Sequence, residues 1–195
     1  MEHIEGKLIS LEGPMFCSKS STLVQDANRY ADLGFKTLYI NSAKDTRNFG
    51  HVSTHSSGGL SLSSKVDYLS LNSLNYSELE TYIDINKYKV IFIDEFQFFS
   101  NPTDIINEWV DISNKIVHVG GLDLDAKRRK WGSITDLIAD SRKKLTAICK
   151  DCLIDGRYTE APFTSKINPN GKDIEIGGAD LYIPVCRGHW NKRNY

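Results

Sequence analysis

A segment near the start of the chain has the residue types of a phosphate-binding loop. Residues 13–20 read Gly-Pro-Met-Phe-Cys-Ser-Lys-Ser and directly follow a short apolar run. The usual pattern is G-x-x-x-x-G-K-[ST], and Ser18 occupies the position of the second glycine. In such a loop the backbone N–H groups surround phosphate oxygens at the N-terminus of the following helix. The segment therefore predicts phosphoryl transfer, with a proline-bearing surface turn as the alternative.

The last two residues of this segment have distinct chemical roles. Lys19 would supply a mobile positive charge, and the Ser20 hydroxyl would be a ligand of Mg²⁺. The residues expected to contact phosphate are Gly13, Pro14, Met15, Phe16, Cys17, Ser18, Lys19 and Ser20.

Two adjacent carboxylates follow a later apolar stretch. Asp94 and Glu95 come directly after Val90–Ile93, a run typical of a buried parallel strand. In doubly wound sheets the carboxyl ends of the strands lie beside the phosphate loop, where ligands bind. One carboxylate can hold Mg²⁺, directly or through water, and its neighbour can accept the proton of an attacking hydroxyl. Two solvated acids at a strand end are the alternative. Residues 96–99 either line a pocket or belong to the core.

Four residues have the spacing of a metal site. Cys149 and Cys152 form one C-x-x-C step, and Cys186 and His189 form a second short step after a long interval. Three thiolates and one imidazole suit a tetrahedral zinc ion. A redox pair or a coincidence of spacing is the alternative. Cys17 belongs to the phosphate loop instead.

Two weaker signals are also present. The segment Asp45-Thr46-Arg47 follows an apolar strand pattern and could place a guanidinium on a phosphoryl group, with a loop salt bridge as the alternative. The basic run at residues 127–130 could clamp phosphates, although a run of this kind is more often a solvated face.

The composition is that of a globular protein. The chain has 195 residues, of which 40% are hydrophobic and 25% charged, and its formal net charge is −1. This charge argues against a dedicated nucleic-acid-binding protein, which usually has a basic excess. No apolar run approaches the ~20 residues that cross a bilayer, and no secretory signal is visible at the start. We therefore expect a cytoplasmic protein without membrane or nucleic-acid partners, whose cysteines are reduced or metal-bound.

Apolar stretches of strand length alternate with helical patterns along most of the chain. Such alternation is typical of an open, mostly parallel sheet covered on both faces. We therefore predict an α/β fold of the doubly wound phosphate-loop type. Strands are expected at residues 7–12, 37–40, 90–93 and 116–119, helices at 20–33, 77–85, 102–113 and 133–138, and a loop at 44–65.

The pattern changes near residue 145. From there the chain has short β-like pieces, a Gly/Asn/Pro turn region at 167–172 and the last three cysteines. We therefore predict two domains, a phosphate-loop nucleotide-binding domain over residues 1–145 and a small zinc-binding β lobe over residues 146–195.

Taken in order, these motifs resemble the cytosolic and viral type of thymidine kinase. The resemblance covers nearly the whole chain. Each motif alone is weak evidence, but together they occur in the same order as in the family. The matching segments are GPMFCSKSS at 13–21, AKDTR at 43–47, FIDEFQFF at 92–99, GLD at 121–123, RRKWGSI at 128–134, LTAICKDC at 145–152, RYTEA at 157–161, IGGADLY at 176–182 and CRGH at 186–189.

The resemblance implies a fold, an assembly and an activity. It implies a homotetramer whose subunits each contain a phosphate-loop domain with an appended zinc domain. The implied reaction transfers the γ-phosphate of ATP to the 5′-hydroxyl of thymidine, a step in the salvage of DNA precursors. By position, Glu95 would be the general base, and Asp94 would lie beside Mg²⁺ with Ser20. The remaining phosphate-side residues would be Asp45, Thr46, Arg47 and Gln97.

The resemblance also implies a nucleoside pocket. A lasso-like loop would cover the base, and its backbone groups would hydrogen-bond the pyrimidine. Backbone donors and acceptors have fixed directions, so a mismatched base leaves buried groups unpaired. The matching residues are Met15, Phe98, Leu122, Ala126, Trp131, Thr159, Ile174, Glu175, Ile176, Gly177 and Tyr182.

Three residues depart from the family pattern. Ser18 replaces a glycine, and if its φ must be positive the cost is on the order of 1–2 kcal/mol. Ala126 replaces an aromatic residue near the nucleoside, which removes stacking area, and Trp131 replaces a phenylalanine. Two hypotheses follow: an active thymidine kinase, or a relative that binds a nucleoside or a partner without efficient phosphoryl transfer.

Overall fold

A computed structural model of the protein describes residues 5–45, 60–100, 102–168 and 175–195. Six strands form one sheet, in the order β3-β2-β4-β5-β1-β6. Every neighbouring pair in this sheet is parallel, which confirms the predicted α/β class. The six strands are β1 (Lys7–Glu12), β2 (Thr37–Ser42), β3 (Val66–Leu71), β4 (Val90–Ile93), β5 (Ile116–Gly121) and β6 (Ser141–Lys144).

Within the described ranges, six α-helices and three other helical turns accompany the strands. The helices are α1 (Lys19–Asp32), α2 (Tyr76–Tyr82), α3 (Thr103–Asn107), α4 (Gly132–Thr135), α5 (Lys150–Ile154) and α6 (Arg187–Asn194). Short 3₁₀ turns cover Ile85–Lys87 and Phe96–Phe98, and a π-helical turn, Glu108–Ile112, continues α3. Among the described residues no helix is both long and apolar enough to span a bilayer.

Apolar clusters cover both faces of the sheet. One contains Val24 of α1 together with Tyr39 of β2 and Phe92 of β4. The opposite cluster contains Ile40 of β2 and Ile93 of β4. Successive residues of a strand point to opposite faces, and a strand buried on both faces is therefore apolar throughout. This explains why Val90–Ile93 reads as a continuous apolar run.

Where the structure describes it, the C-terminal part of the chain contains two small antiparallel ladders and two helices. Strand β7 (Ala147–Ile148) pairs with β8 (Glu160–Ala161), and β9 (Phe163–Lys166) pairs with β10 (Tyr182–Val185). Its apolar cluster also includes Cys17 of the phosphate loop. The loop therefore packs against this part of the chain.

Several predicted elements differ from the observed ones. Strands β3 and β6 were not predicted. Strand β6 has the sequence SRKK and all four residues exposed, and a charged strand at a sheet edge carries no apolar signal. The predicted helix at 77–85 ends earlier, because Ile83 is extended and the Asp84 side chain begins a separate 3₁₀ turn. The helix predicted at 102–113 changes to a π-helical turn after Asn107, and the one at 133–138 is only α4.

Candidate active site

The phosphate loop connects β1 directly to α1. A Cβ on Gly13 would lie 2.4 Å from the carbonyl oxygen of Leu145, so only glycine fits there. Ser18 precedes α1 and has φ 66° and ψ 25°, which is the left-handed conformation that a glycine adopts without strain. The condition under which a residue other than glycine has a steric cost at this position, a positive φ, is therefore met. The Met15 N–H donates to the Thr164 hydroxyl at 2.9 Å, which ties the loop to β9.

The Lys19 ammonium lies over the loop that precedes it. Its Nζ donates to the carbonyl oxygens of Gly13 at 3.1 Å and Pro14 at 2.6 Å. A lysine amine in this position is within the span of the loop whose N–H groups bind phosphate. The predicted mobile positive charge is therefore next to the predicted phosphate site.

Asp94 lies at the end of β4, on the face covered by α1. It is 5% exposed, and its carboxylate hydrogen-bonds with the Ser20 hydroxyl. The Tyr39 hydroxyl donates to its Oδ2 at 2.9 Å and the Glu95 N–H donates to its Oδ1 at 2.9 Å. Burial and, to a smaller extent, the charge of Glu95 raise the pKa of Asp94 to about 6, against the opposing effect of the Ser20 hydrogen bond. Two hard oxygen ligands, a carboxylate and a hydroxyl, thus meet beside the loop.

Glu95 turns the chain out of β4 and faces the cavity. Its φ is 51°, so it is another residue with a positive φ that is not glycine. The Gln97 side-chain amide donates to its Oε2 at 2.6 Å, and the Gln97 Oε1 accepts from the Leu122 N–H at 3.0 Å. Gln97 was expected on the phosphate side. It instead joins the candidate base to the end of β5.

One cavity of about 320 Å³ brings most of the predicted residues together. Its predicted lining residues are Met15, Phe16, Cys17, Ser18, Lys19, Ser20, Glu95, Gln97, Phe98, Leu122, Ala126, Trp131, Glu175, Ile176, Gly177 and Tyr182. Four further lining residues were missed: Ser21, Leu124, Asp125 and Thr164. Leu124 and Asp125 lie between two predicted positions and could have been inferred from that. Thr164 has no such signal.

Thr159 was also expected near the nucleoside base. This residue does not line the cavity. Its carbonyl oxygen accepts a hydrogen bond from the Cys149 N–H at 2.8 Å, within the hairpin that carries the metal-type ligands. Thr164, five positions further on, reaches the cavity because β9 turns back toward the phosphate loop.

The wall opposite the phosphate loop contains aromatic rings and a backbone segment, residues 175–177, that is fixed by hydrogen bonds and an ion pair. The rings of Phe98 and Trp131 meet edge to face at 6.3 Å between centroids. The Tyr182 hydroxyl donates to the Glu175 carbonyl oxygen at 2.7 Å and accepts from its N–H at 3.3 Å. Lys166 pairs with the Glu175 carboxylate at 2.6 Å. The backbone at residues 175–177 is therefore held at the cavity edge.

Several predicted positions do not contribute to the described cavity. Asp45 lies three residues after the end of β2, is only 7% exposed and is not a lining residue. Thr46, Arg47 and Ile174 lie outside the described residues.

The basic run at residues 127–130 does not line the cavity, and two of its members have partners elsewhere. The Arg128 guanidinium lies 3.7 Å from the centroid of the Trp190 ring, and Arg129 pairs with the Asp125 carboxylate at 2.7 Å. The alternative of a simple surface face is thus closer to the structure than a phosphate clamp.

The four metal-type ligands converge in the C-terminal part. The ligand atoms of Cys149, Cys152, Cys186 and His189 all lie within 4.8 Å of one another. The His189 Nδ1 lies 3.5, 3.4 and 3.3 Å from the three sulfurs. A tetrahedron with zinc bonds of about 2.0 and 2.3 Å has edges of roughly 3.5–3.8 Å, so the spacing fits that ion.

A helix of the metal cluster also contacts the cavity wall. Trp190 lies one residue after His189 in α6, and its indole N–H donates to the Ala126 carbonyl oxygen at 2.9 Å. Arg193, on the same helix, pairs with both oxygens of Asp151 at 2.8 Å. The cluster therefore supports the loop between β5 and α4.

Comparison with known proteins gives a consistent family. The family model described as "Thymidine kinase" matches residues 6–190. The chain is 38% identical over 188 residues to "Thymidine kinase a" of Arabidopsis thaliana, covering 95% of this chain and 75% of that protein. It is 35% identical to "Thymidine kinase" of Amsacta moorei entomopoxvirus, covering 92% and 94% of the two chains, and 35% identical to "Thymidine kinase, cytosolic" of Bos taurus, covering 93% and 71%. With a match that runs through the phosphate loop, the paired acids and the cysteine–histidine cluster, the chain belongs to the thymidine kinase family.

Proposed function

We propose that this chain is an ATP-dependent thymidine kinase, which transfers the γ-phosphate of ATP to the 5′-hydroxyl of thymidine. The observation that carries the proposal is that the Glu95 carboxylate lines the same cavity as the phosphate loop. A group that accepts a proton and a loop that binds phosphate must both reach the reacting atoms in such a transfer. The family and the names of its members support the same reaction.

The phosphates of ATP bind to the N–H groups of the loop and to Lys19. The donor set next to the loop fits Mg²⁺, because the Ser20 hydroxyl and the buried Asp94 carboxylate are hard oxygen ligands in mutual hydrogen-bond contact. When bound, Mg²⁺ neutralises charge on the phosphate oxygens. Burial of Asp94 restricts water and keeps this carboxylate at the loop.

Glu95 accepts the proton of the 5′-hydroxyl as that oxygen attacks the γ-phosphorus. The bond between phosphorus and the bridging oxygen breaks, ADP leaves, and the proton stays on the Glu95 carboxylate. The Gln97 amide, 2.6 Å from Glu95 Oε2, holds the carboxylate toward the cavity. Its other end binds the Leu122 N–H, so the base and the nucleoside wall keep one relative position.

Selection of thymidine depends on the wall opposite the loop. The backbone at residues 175–177 supplies donors and acceptors with fixed directions, held there by Tyr182 and Lys166. Phe98 and Trp131 supply apolar surface for the base. Ala126 contributes only a methyl group to this wall.

We further propose that the cysteine–histidine cluster binds structural zinc, in a lobe that begins near residue 146. The distances between the ligand atoms fit a tetrahedral ion. Such an ion would hold α5, α6 and the short strands together. A homotetramer in the cytoplasm is proposed from the resemblance to the family and from the cattle relative, whose name includes the word cytosolic.

The hypothesis of a relative without efficient transfer has no observation in its favour. Ser18 adopts the left-handed conformation that its position requires, and Lys19, Ser20, Asp94 and Glu95 keep their expected neighbours. The serine in the loop is therefore compatible with catalysis.

The proposal is tested by incubating the purified chain with ATP, Mg²⁺ and thymidine. We expect thymidine 5′-monophosphate and ADP as products. Glu95→Gln should lower kcat by about 10²–10⁴-fold, the usual contribution of general base catalysis. Glu160→Gln, which changes an exposed glutamate of β8 outside the cavity, is the matched control and should leave kcat unchanged. No product from the wild type, or an unchanged kcat in Glu95→Gln, contradicts the proposed reaction.

A further inference from the structure

A fully buried tyrosine lies beneath α1 and reaches the acid at the end of β4. Tyr39 is 0% exposed, in the apolar cluster between α1 and the sheet. Its ring lies between those of Tyr68 and Phe92, at 6.4 Å from each centroid. Its hydroxyl donates to Asp94 Oδ2 at 2.9 Å. A polar group in an apolar layer is thus directed at one carboxylate oxygen.

The Asp94 carboxylate is held at both oxygens. While Tyr39 binds Oδ2, the N–H of Glu95 binds Oδ1 at 2.9 Å. The Asp94 N–H donates to the Ile40 carbonyl oxygen at 2.8 Å, so the adjacent residues of β2 hold both the backbone and the side chain of this aspartate. The terminal torsion of an aspartate is intrinsically broad and nearly two-fold. These bonds therefore select one orientation of the carboxylate.

Packing alone does not require the hydroxyl. A phenylalanine would fill the same layer between two aromatic rings, without the cost of removing a hydroxyl from water. The hydroxyl and the carboxylate satisfy each other in a region without solvent, where hydrogen bonds define geometry strongly. The bond therefore contributes more to the position of the Asp94 carboxylate than to the stability of the core.

We propose that Tyr39 is a positioning residue for the magnesium site, whose hydroxyl orients the Asp94 carboxylate toward Ser20 and the phosphate loop. This inference rests on the proposed function, because it takes Asp94 and Ser20 as the residues beside Mg²⁺. Tyr39 itself does not line the cavity. Its hydroxyl therefore affects how much Mg²⁺ increases the affinity for the nucleotide.

The test compares binding of a non-hydrolysable ATP analogue with and without Mg²⁺, measured by calorimetry. In Tyr39→Phe the gain in affinity that Mg²⁺ produces should fall by about fivefold to tenfold, the net size of one typical intramolecular hydrogen bond. Affinity without Mg²⁺ should stay within about twofold, because the loop is intact. In the kinase assay, the Mg²⁺ concentration for half-maximal rate should rise while the KM for thymidine stays unchanged.

Two further variants separate positioning from a structural role. Tyr68→Phe removes the hydroxyl of a ring stacked on Tyr39, and that hydroxyl bonds to Asn41 and Ser70 instead of Asp94. It should leave the Mg²⁺ effect as in the wild type. In an Asp94→Asn background, Tyr39→Phe should produce no additional change in the Mg²⁺ effect.

Three results would overturn the inference. One is a wild-type Mg²⁺ effect in Tyr39→Phe, with or without a lower melting temperature. The second is an equal loss in Tyr68→Phe, and the third is a full Tyr39→Phe effect in the Asp94→Asn background. If Mg²⁺ does not strengthen nucleotide binding by the wild type, the proposed function fails as well. If it does and Tyr39→Phe is unaltered, only the positioning role is lost.

Discussion

Two residues at the turning points of the site have left-handed backbone conformations although neither is glycine. Ser18 has φ 66° before α1, and Glu95 has φ 51° after β4. Each conformation costs on the order of 1–2 kcal/mol for a residue with a side chain. In exchange, Glu95 turns toward the cavity and Ser18 ends the loop so that Lys19 begins the helix. Strain of this kind persists where the surrounding packing determines the backbone.

At Ser18 the strain can be removed by a single change. Ser18→Gly should raise the free energy of unfolding by about 0.5–1 kcal/mol, because glycine adopts a positive φ without a steric cost. Activity should be unchanged or improved, since no side-chain hydrogen bond caps α1 from this position. Denaturant unfolding measures the effect.

The matched control for this change lies in the same segment. Ser21 is in the first turn of α1, and Ser21→Gly should lower the free energy of unfolding, because glycine is a poor helix former. Destabilisation by both substitutions would show that Ser18 is not strained.

At the scale of elements, the site is made by the carboxyl ends of three parallel strands. Strands β1, β4 and β5 are neighbours in the sheet and end in the phosphate loop, the paired acids and the glycine pair at 120–121. Because parallel strands finish at one edge, residues far apart in the chain meet there. Because they have no side chain, the glycines leave room for neighbouring side chains at that edge of the sheet. A Cβ on Gly121 would lie 2.6 Å from Gln97 Oε1.

Filling that space should affect catalysis more than stability. In Gly121→Ala the new methyl group displaces the end of the Gln97 side chain, which is flexible, and breaks the link from Glu95 to Leu122. We expect kcat to fall by about 10–100-fold, because a misplaced base loses most of its effect. Steady-state kinetics and thermal unfolding together measure the two effects.

Gly188 in α6 provides the comparison, because a Cβ there has no atom within 4 Å. Gly188→Ala should leave kcat unchanged and slightly stabilise the helix. An unaltered kcat in Gly121→Ala would show that the bridge through Gln97 is not needed.

At the scale of the whole molecule, the C-terminal part supports the site at two points. Cys17 of the phosphate loop packs in the same apolar cluster as Cys149 and Cys152. Trp190 binds the backbone of Ala126 on the nucleoside side of the cavity. The metal-type cluster is thus linked to both sides of the cavity, although it lines neither.

The stability of the whole molecule should depend on pH through His118 in β5. This residue is 5% exposed and stacked on Phe92 at 4.5 Å, and neither ring nitrogen has a hydrogen-bond partner among the described residues. Burial, together with the smaller effect of the Arg29 charge, lowers its pKa from the ordinary 6.5 to about 4. Between these values the unfolded chain binds more protons than the folded one. Stability therefore rises with pH through this window and is lost on acidification.

Comparison with His118→Leu isolates this contribution. From pH 7 to pH 4 the wild type should lose about 3 kcal/mol relative to the variant, in denaturant unfolding at several pH values. The raised pKa of Asp94 acts with the opposite sign in the same window, but both proteins contain that group, so it cancels. Parallel stability curves would show that His118 does not remain neutral in the fold.

Local patterns in the sequence predict much of the fold and many of the candidate site motifs. The loop, the strand ending in Asp94 and Glu95, the parallel sheet and the two metal-type half-sites all follow from spacing and apolar periodicity over a few residues. These motifs can be recognised in the sequence because each consists of residues close together in the chain, whose chemistry does not depend on distant partners.

Tertiary structure decided the features that depend on residues distant in the chain. It brings Thr164 rather than Thr159 to the cavity, gives the charged segment of β6 a place at the sheet edge, and joins Tyr39 to Asp94 across 55 positions. Neither residue of such a pair carries a sign of the other in its own sequence neighbourhood. The contact exists only because the order of the strands places two side chains on the same face of the sheet.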